Sequence, residues 1–203
     1  FDVTEVLGIV KFEPDAGASL GGIARGNFPA WMRKTDQERI QNMFKYLTRE
    51  NEDGECDLDR RWIAEEKLDG SSMTVGVLDG DVHVCSRNLS INIEDDGNAF
   101  VAAAKESGII PALIAYGENI ALSGELCGPG IQGNKYNLAK KTWFIFDIFD
   151  VTKGEYLTVG EREKVIVKLC DLGAKFCTVP EIAQRTLTGE SLDSLLKMAE
   201  GKS

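Results

Sequence analysis

The chain has 203 residues, of which 43% are hydrophobic and 28% are charged, and this is enough apolar material for one well-packed domain. Its formal net charge of -10 argues against a generally basic coat for nucleic acid, so any nucleic-acid contact must be local. No apolar run approaches the roughly 20 residues that span a bilayer. The five scattered cysteines include no C-x-x-C pair, which argues against a zinc ribbon or a disulfide framework and favours a reducing cytoplasm.

The first 30 residues carry little regular pattern, and their glycines predict loop. Thr35-Asp36-Gln37-Glu38 matches a helix capping box. The residues behind it predict one apolar helix face packed on the core, formed by Ile40, Met43, Phe44 and Leu47. The acidic run at residues 49–60 predicts a solvated loop.

Lys67 stands between two predicted strands, at residues 61–66 and 73–78. A lone lysine at a strand end is ordinarily a solvated surface residue. Here Asp69-Gly70 predicts a tight turn that holds the lysine, and the small Ser71 and Ser72 leave room for a phosphate-sized ligand. Because an ordinary lysine is protonated, nucleophilic catalysis would need neighbouring cations, a metal or desolvation.

The second predicted strand turns at Asp79-Gly80 into a hairpin partner that carries His83, the single histidine, which we interpret as structural. Residues 99–116 predict one helix, or two broken before Pro111. A strand beginning at Ile120 leads to Glu125, a carboxylate that is costly to bury unless it meets a cation, metal or hydroxyl.

A strongly apolar strand follows at residues 142–151. Simple alternation places Phe144, Phe146 and Ile148 on one face and Trp143, Ile145 and Asp147 on the other.

The remaining elements read as scaffold. Thr158 and Glu161 form a second capping box, before a helix that ends at Gly173. Residues 176–180 predict a short strand or turn, and residues 192–199 a last helix.

The basic residues that could form a local nucleic-acid-binding face are Arg25, Arg33-Lys34, Lys135 and Lys140-Lys141.

Four segments resemble, in order, the motifs of the covalent nucleotidyltransferases, which include ATP-dependent nucleic-acid ligases and messenger-RNA capping guanylyltransferases. Lys67-Leu68-Asp69-Gly70 resembles the K-x-D-G signature. The next three motifs are matched by Ser86-Arg87-Asn88, by residues 123–128 and by residues 143–148. The longer string at residues 124–134 is most similar to RNA ligases that seal nicks in duplex RNA.

The resemblance implies an α+β fold, a nucleotidyltransferase (ATP-grasp-like ligase) domain with twisted antiparallel sheets flanked by helices. It implies an entry segment at residues 1–34, joined to an upstream domain, and an adenylyltransferase domain at residues 35–203. Two further motifs, one with a Glu-Gly for metal and one with paired lysines for the triphosphate, are expected beyond residue 203.

The resemblance also assigns the chemistry. Lys67 would attack the α-phosphorus of ATP, leaving lysyl-AMP after pyrophosphate departs. Glu66 would read the adenine amino group, Arg87 would hold the ribose or a phosphate, and Glu125 would contact the ribose or a divalent Mg²⁺ or Mn²⁺.

The rest of the implied nucleotide site comes from two segments of the chain, at residues 69–72 and 146–147. Phe146 would stack on adenine at about 1–3 kcal/mol, and Asp147 would orient its neighbours on the adenine or metal side. Asp69, Gly70 and Ser72 complete the cofactor-binding set. The implied partners are RNA ends, in nicked or duplex RNA, with no membrane and with the oligomeric state left open.

Three functions remain open from the sequence. The first is an RNA ligase core. The second is another covalent nucleotidyltransferase, either a DNA ligase or a capping enzyme. The third is an inactive remnant that binds nucleotide or RNA. Nucleotide and acceptor choice separate the first two, since a capping enzyme uses GTP and a DNA ligase uses nicked DNA.

Overall fold

The computed structural model describes residues 22–35 and 37–200, so most of the expected entry segment lies outside the described residues. The chain divides into two compact units. Of the described residues, the first unit comprises 22–33 and Asp69–Cys177, and the second comprises 34–35, 37–68 and 178–200. The architecture is α+β, as expected from the sequence.

The first unit is built on an antiparallel sheet whose described strands follow the order β1-β5-β4-β3-β6-β7-β8. Their bounds are β1 Ala24–Asn27, β3 Ser71–Leu78, β4 Asp81–Cys85, β5 Leu89–Ile91, β6 Ile120–Cys127, β7 Thr142–Asp150 and β8 Glu155–Tyr156. A short strand β9, Cys177–Thr178, also pairs with β7. Strands β3 and β6 lie side by side, and together they carry eight buried apolar residues.

Three helices of the first unit cover one face of this sheet: α2 Ala99–Glu106, α3 Ile109–Tyr116 and α4 Val159–Asp171. The core between sheet and helices includes Met73, Val75 and Leu122 from the sheet, and Leu113 and Leu169 from the helices, all fully buried. Such a one-sided cover is what alternating strands and amphipathic helices produce when both bury their apolar faces.

The second unit contains an antiparallel pair of strands, β2 Arg61–Glu65 and β10 Glu181–Thr186. Its helices are α1 Ile40–Leu47 and α5 Leu192–Ala199, which pack against each other. A 3₁₀ turn, Asp57–Asp59, precedes β2. Within this unit Leu58 is buried, with 2% of its surface exposed.

Several local predictions are confirmed. Asp79 and Gly80 both have positive φ, 50° and 82°, as a two-residue hairpin turn requires. The helical stretch breaks at Ser107-Gly108, three residues before Pro111, and the two helices meet at 62°. Thr158 caps α4, with its N–H and hydroxyl both donating to Glu161, at 2.9 and 2.7 Å.

The N-terminal predictions need correction. The stretch predicted as loop contains β1, which pairs with β5 because Gly26 and Asn27 lie opposite Ser90 and Leu89. Helix α1 begins at Ile40 with Arg39 at its N-cap, and no side chain caps it. None of its residues is fully buried, so its apolar face packs within a small unit rather than on a large core.

The alternation expected for β7 is also wrong. Ser123 pairs with Asp147 but Gly124 pairs with Ile145, so Phe146 is an extra residue in a β-bulge. The bulge reverses the alternation, and Ile148 joins Trp143 and Ile145 in the main core, each at most 3% exposed. One inserted residue exchanges the two faces of everything that follows it.

No single described helix is long and apolar enough to cross a membrane. Helices α2 and α3 reach the length and apolar composition of a membrane-spanning segment only when they are taken together, and they are bent by 62° at the break between them.

Candidate nucleotide-binding site

Gly70, at the start of β3, is held against the neighbouring strand so closely that only glycine fits. A Cβ at this position would lie 2.3 Å from the carbonyl oxygen of Leu126 and 2.7 Å from the Cys127 sulfur. The sequence predicted a tight turn at Asp69-Gly70, but the structure shows only a bend at Gly70 that leads into β3. The structure adds that this glycine permits close backbone approach to β6.

Glu125 lies on β6 directly opposite Ser72 of β3 on one side and Phe144 of β7 on the other. Its Oε1 accepts a hydrogen bond of 2.9 Å from the backbone N–H of Gly70. Because directly opposed residues of antiparallel strands project from the same face of a sheet, Ser72, Glu125 and Phe144 share a face. This is the face turned away from Trp143, Ile145 and the helices.

Asp69 is held by two residues of the loop after β6. Its backbone N–H donates to the Tyr136 hydroxyl at 2.7 Å, and its carboxylate pairs with the Lys135 ammonium. The hydrogen bond from the Lys135 ammonium to the Asp69 carboxylate, together with the negative charge of that carboxylate, raises the pKa of Lys135 above its ordinary value. Sequence reasoning named Lys135 only as a basic point and missed Tyr136, because pairing between distant loops leaves no local pattern.

Asp147 lies opposite Ser123, on the same face as Glu125. Burial raises the pKa of Tyr156, and the negative charge of Asp147 contributes to that rise. Phe146, the residue chosen for adenine stacking, occupies the bulge and is half-buried, while the Arg162 guanidinium donates to its backbone oxygen. Phe144, which was not selected, is the aromatic residue directly beside Glu125.

Arg87 is exposed in the turn between β4 and β5, which closes through a 2.9 Å hydrogen bond from Ser86 N–H to the Leu89 oxygen. Ser86 and Arg87 therefore sit at the end of a hairpin and not within a strand. The hairpin belongs to the sheet that carries Glu125 and Asp147.

Glu66 and Lys67 lie in the second unit, immediately after β2, and both are exposed. The backbone N–H of Glu66 donates to the Pro180 oxygen at 2.9 Å, which extends the pairing of β2 with the chain that leads into β10. Leu68, which follows Lys67, is buried with 7% of its surface exposed. Lys67 precedes Asp69 by two residues along the chain.

His83 is held in a structural network, as the sequence analysis interpreted it. Its Nδ1 lies 2.9 Å from the Ser90 hydroxyl and its Nε2 lies 3.3 Å from an Asp81 oxygen. Although these are the residue types of a hydrolase triad, Ser90 is only 2% exposed, so no substrate reaches it. Burial lowers the pKa of His83, and the Arg25 charge lowers it further, against the opposing effect of Asp81.

The family model for RNA ligases matches residues 60–203, which is more than half of the chain. The chain belongs to the RNA ligase family. Three solved structures of Naegleria gruberi RNA ligase are similar to this family member, one with pyrophosphate, one a variant with ATP and Mn, and one a variant with AMP and Mn.

Each of these three structures is 37% identical to this RNA ligase family member, with a TM-score of 0.80. Each match covers 100% of this chain but 58% of the solved chain. This family member thus spans somewhat over half the length of the ligases it matches. Among curated proteins, none matches it significantly.

Proposed function

We propose that this chain carries the adenylyltransferase activity of an ATP-dependent RNA ligase and that Lys67 is the residue to which AMP becomes attached. The observation that carries the proposal is the 2.9 Å hydrogen bond from Gly70 to Glu125, because it joins the first expected motif to the third. Membership in the RNA ligase family supports it. The similar Naegleria structures hold ATP, AMP or pyrophosphate, which this reaction consumes, transfers or releases.

In the first step Lys67, whose ammonium has first released a proton, attacks the α-phosphorus of ATP with the lone pair of its Nζ. The bond from that phosphorus to the bridging oxygen breaks and pyrophosphate leaves with the electron pair. The nitrogen then releases a second proton to solvent, and a phosphoramidate remains on the lysine. We assign Arg87 to the ribose or to a phosphate, and Glu66 to the adenine amino group. Asp69, Gly70 and Ser72 would shape the floor beneath the nucleotide.

On the sheet face, Glu125 and Asp147 are the carboxylates proposed to meet the ribose, the adenine side or a metal. Of the two aromatics near them, Phe146 is the proposed adenine-stacking residue, and the register of Phe144 beside Glu125 makes Phe144 the alternative. Stacking on either ring is worth about 1–3 kcal/mol per base.

Mg²⁺ or Mn²⁺ is compatible with the residues present. Among the described residues no group of three or more His, Cys, Asp or Glu side chains could hold an ion by itself. Mg²⁺ in phosphate chemistry is commonly held by one or two carboxylates together with substrate phosphates, and Glu125 is the carboxylate proposed here. The bound ion would neutralise charge on the phosphates.

We further propose that AMP then passes to an RNA 5′-phosphate and that an RNA 3′-hydroxyl displaces it, sealing a nick in duplex RNA. The duplex preference rests on the resemblance of residues 124–134. We also propose residues 35–203 as the adenylyltransferase domain and residues 1–34 as its entry segment. All five cysteines are free, which supports a reducing compartment such as the cytoplasm.

The test is incubation with α-labelled ATP and Mg²⁺ or Mn²⁺, followed by denaturing electrophoresis. Wild type should carry label, Lys67→Ala should carry none, and the exposed-lysine control Lys153→Ala should match wild type. Label that persists in Lys67→Ala would contradict the assignment of the nucleophile. Label from GTP in place of ATP would favour a capping enzyme. Sealing of nicked DNA but not of RNA would favour a DNA ligase, and absence of label from both nucleotides would favour a binding remnant.

A further inference from the structure

A second candidate binding site is a surface cleft of about 330 Å³ in the first unit. It lies between the C-terminal end of α2, the start of β7 and the segment that leads into β9. Its lining residues are Ala103, Glu106, Ser107, Lys140, Lys141, Thr142, Trp143, Lys175, Phe176 and Cys177. None of them is a candidate nucleotide-site residue named above.

Three lysines, Lys140, Lys141 and Lys175, dominate the charge of this cleft. All three are exposed. In the described part of the chain none of them pairs with a carboxylate, whereas several other cationic side chains do. Lys135 pairs with Asp69 and Arg25 pairs with Asp81, at 2.6 Å in the second case. Two of the basic residues expected from the sequence to contact nucleic acid, Lys135 and Arg25, are therefore paired with carboxylates, while Lys140 and Lys141 are not.

The cleft contains one acidic residue, Glu106, against the three lysines. It is therefore locally positive on a chain whose formal net charge is -10. Lysine ammonium groups that have no carboxylate partner are available to phosphate oxygens, which they bind as point charges.

The backbone that carries the lysines is fixed on both walls of the cleft. A Cβ on Gly128 would lie 2.7 Å from the Lys140 oxygen and 2.8 Å from the Lys141 Cα, so the end of β6 packs closely on this pair. On the other wall, the Lys175 N–H donates to the Ser107 oxygen at 2.6 Å.

The cleft also has a rigid aromatic base. Trp143, 3% exposed, meets Phe176 edge to face, with ring centroids 6.4 Å apart. Its indole N–H donates to the Met73 oxygen at 3.3 Å, which anchors the ring to the central sheet. The backbone positions from which the three lysines extend are therefore set by the folded core.

We propose that this cleft binds the phosphate backbone of an RNA strand through Lys140, Lys141 and Lys175. The proposal rests on the proposed function, which supplies RNA as the polyanion that this acidic chain must hold. Because the contacts are ammonium to phosphate, binding through the cleft is independent of base sequence and weakens steeply with salt. The cleft would hold the strand outside the nucleotide site, so the lysyl-AMP step does not depend on it.

The test compares two triple variants of the 203-residue chain with the same charge change. The cleft variant is Lys140→Gln/Lys141→Gln/Lys175→Gln. The matched control is Lys153→Gln/Lys164→Gln/Lys168→Gln, which alters three exposed lysines of the same unit. Affinity for a fluorescent single-stranded RNA is measured by anisotropy from 50 to 200 mM salt, and thermal midpoints check that both variants are folded.

We expect the cleft variant to bind about 100-fold more weakly than the control at 0.1 M salt, since each lost phosphate contact removes about 0.7 log units at that concentration. The slope of log affinity against log salt should fall by about 2. Single substitutions should each remove about a third of that slope.

Equal affinity and equal slope for the two triple variants would overturn the proposal and leave the lysines as partners of the α2 C-terminal carbonyls. Undetectable RNA binding by wild type at 50 mM salt would overturn it too. Labelling with ATP is measured in parallel. If wild type forms no lysyl-AMP, the proposed function is contradicted. If wild type forms lysyl-AMP but its RNA binding does not depend on the cleft lysines, only the proposed role of the cleft is contradicted.

Discussion

The backbone N–H of Gly70 donates to Glu125 Oε1 across 2.9 Å, while a side chain on Gly70 would collide with the backbone of Leu126 at 2.3 Å. The same two strands thus fix both the donor and the space around it. Gly70, which follows Lys67 closely in the chain, is thereby tied to a carboxylate 55 residues further along.

Replacing Gly70 with alanine should destabilise the fold. The new Cβ meets a backbone oxygen that cannot move without shifting β6, so we expect a loss of about 1–3 kcal/mol in the free energy of unfolding. Chemical denaturation measures it. Gly160→Ala is the control, because nothing lies within 4 Å of that Cβ and alanine favours helix by up to about 1 kcal/mol. Equal stability of Gly70→Ala and wild type would contradict the close packing.

Substitutions of Glu125 should separate its structural role from its chemical one. Glu125→Gln keeps an oxygen that accepts from Gly70, so its stability should stay within about 0.5 kcal/mol of wild type. Glu125→Ala leaves the Gly70 N–H without this acceptor and should cost about 1 kcal/mol or more. Both should lose most lysyl-AMP formation. Full labelling of Glu125→Gln would show that the charge of this carboxylate is not needed.

Stability should fall as the pH drops through the ordinary histidine pKa. Burial and Arg25 lower the pKa of His83 in the folded protein below its ordinary 6.5. Between the folded-state and the unfolded-state pKa of His83, the unfolded chain binds more protons than the folded protein. The contribution of neutral His83 to stability is therefore complete above pH 6.5 and is lost as the pH falls below it. One group contributes at most about 1.4 kcal/mol per pH unit.

The comparison that isolates His83, the single histidine of the chain, is the urea midpoint of wild type and His83→Gln at pH 5.5 and 7.5. The wild-type midpoint should fall more between these two pH values. Parallel pH profiles for the two proteins would contradict the depressed pKa.

Thiol reactivity should divide the cysteines into two classes. Cys170 and Cys177 are exposed and should be alkylated quickly at pH 8. Burial raises the pKa of Cys85 to about 12 and that of Cys127 to about 11, so both should react only after denaturation. Mass spectrometry of timed samples measures each site. Rapid native labelling of Cys127 would mean that β6 does not pack on Gly70 as described.

The threonines of the two capping boxes predicted from the sequence should behave differently when they are replaced, because only Thr158 caps a helix in the structure. Thr158→Ala breaks the hydrogen bonds to Glu161 that begin α4, and should lower the thermal midpoint by a few degrees. Thr35→Ala should leave the midpoint unchanged, because α1 begins five residues later, at Ile40. A similar drop for both variants would argue that Thr35 does stabilise the helix.

Sequence alone determined the features whose causes are local. Asp79-Gly80 specifies a hairpin because both residues tolerate positive φ, Thr158 and Glu161 specify a helix start because they lie one turn apart, and Gly108 with Pro111 breaks a helix. The four ordered motifs around Lys67, Arg87, Glu125 and Asp147 also gave the family, since they require only residue types and order.

The tertiary structure decided what depends on distant pairing. The register between β6 and β7 sets Phe144 beside Glu125, and the bulge at Phe146 moves Ile148 into the core. Which lysines have a carboxylate partner was likewise invisible in the sequence, because Lys135 meets Asp69 across 66 residues while Lys140, Lys141 and Lys175 gather around one cleft. A local pattern records the preferences of neighbouring residues, whereas register and ion pairing are set by the packing of strands and loops far apart in the chain.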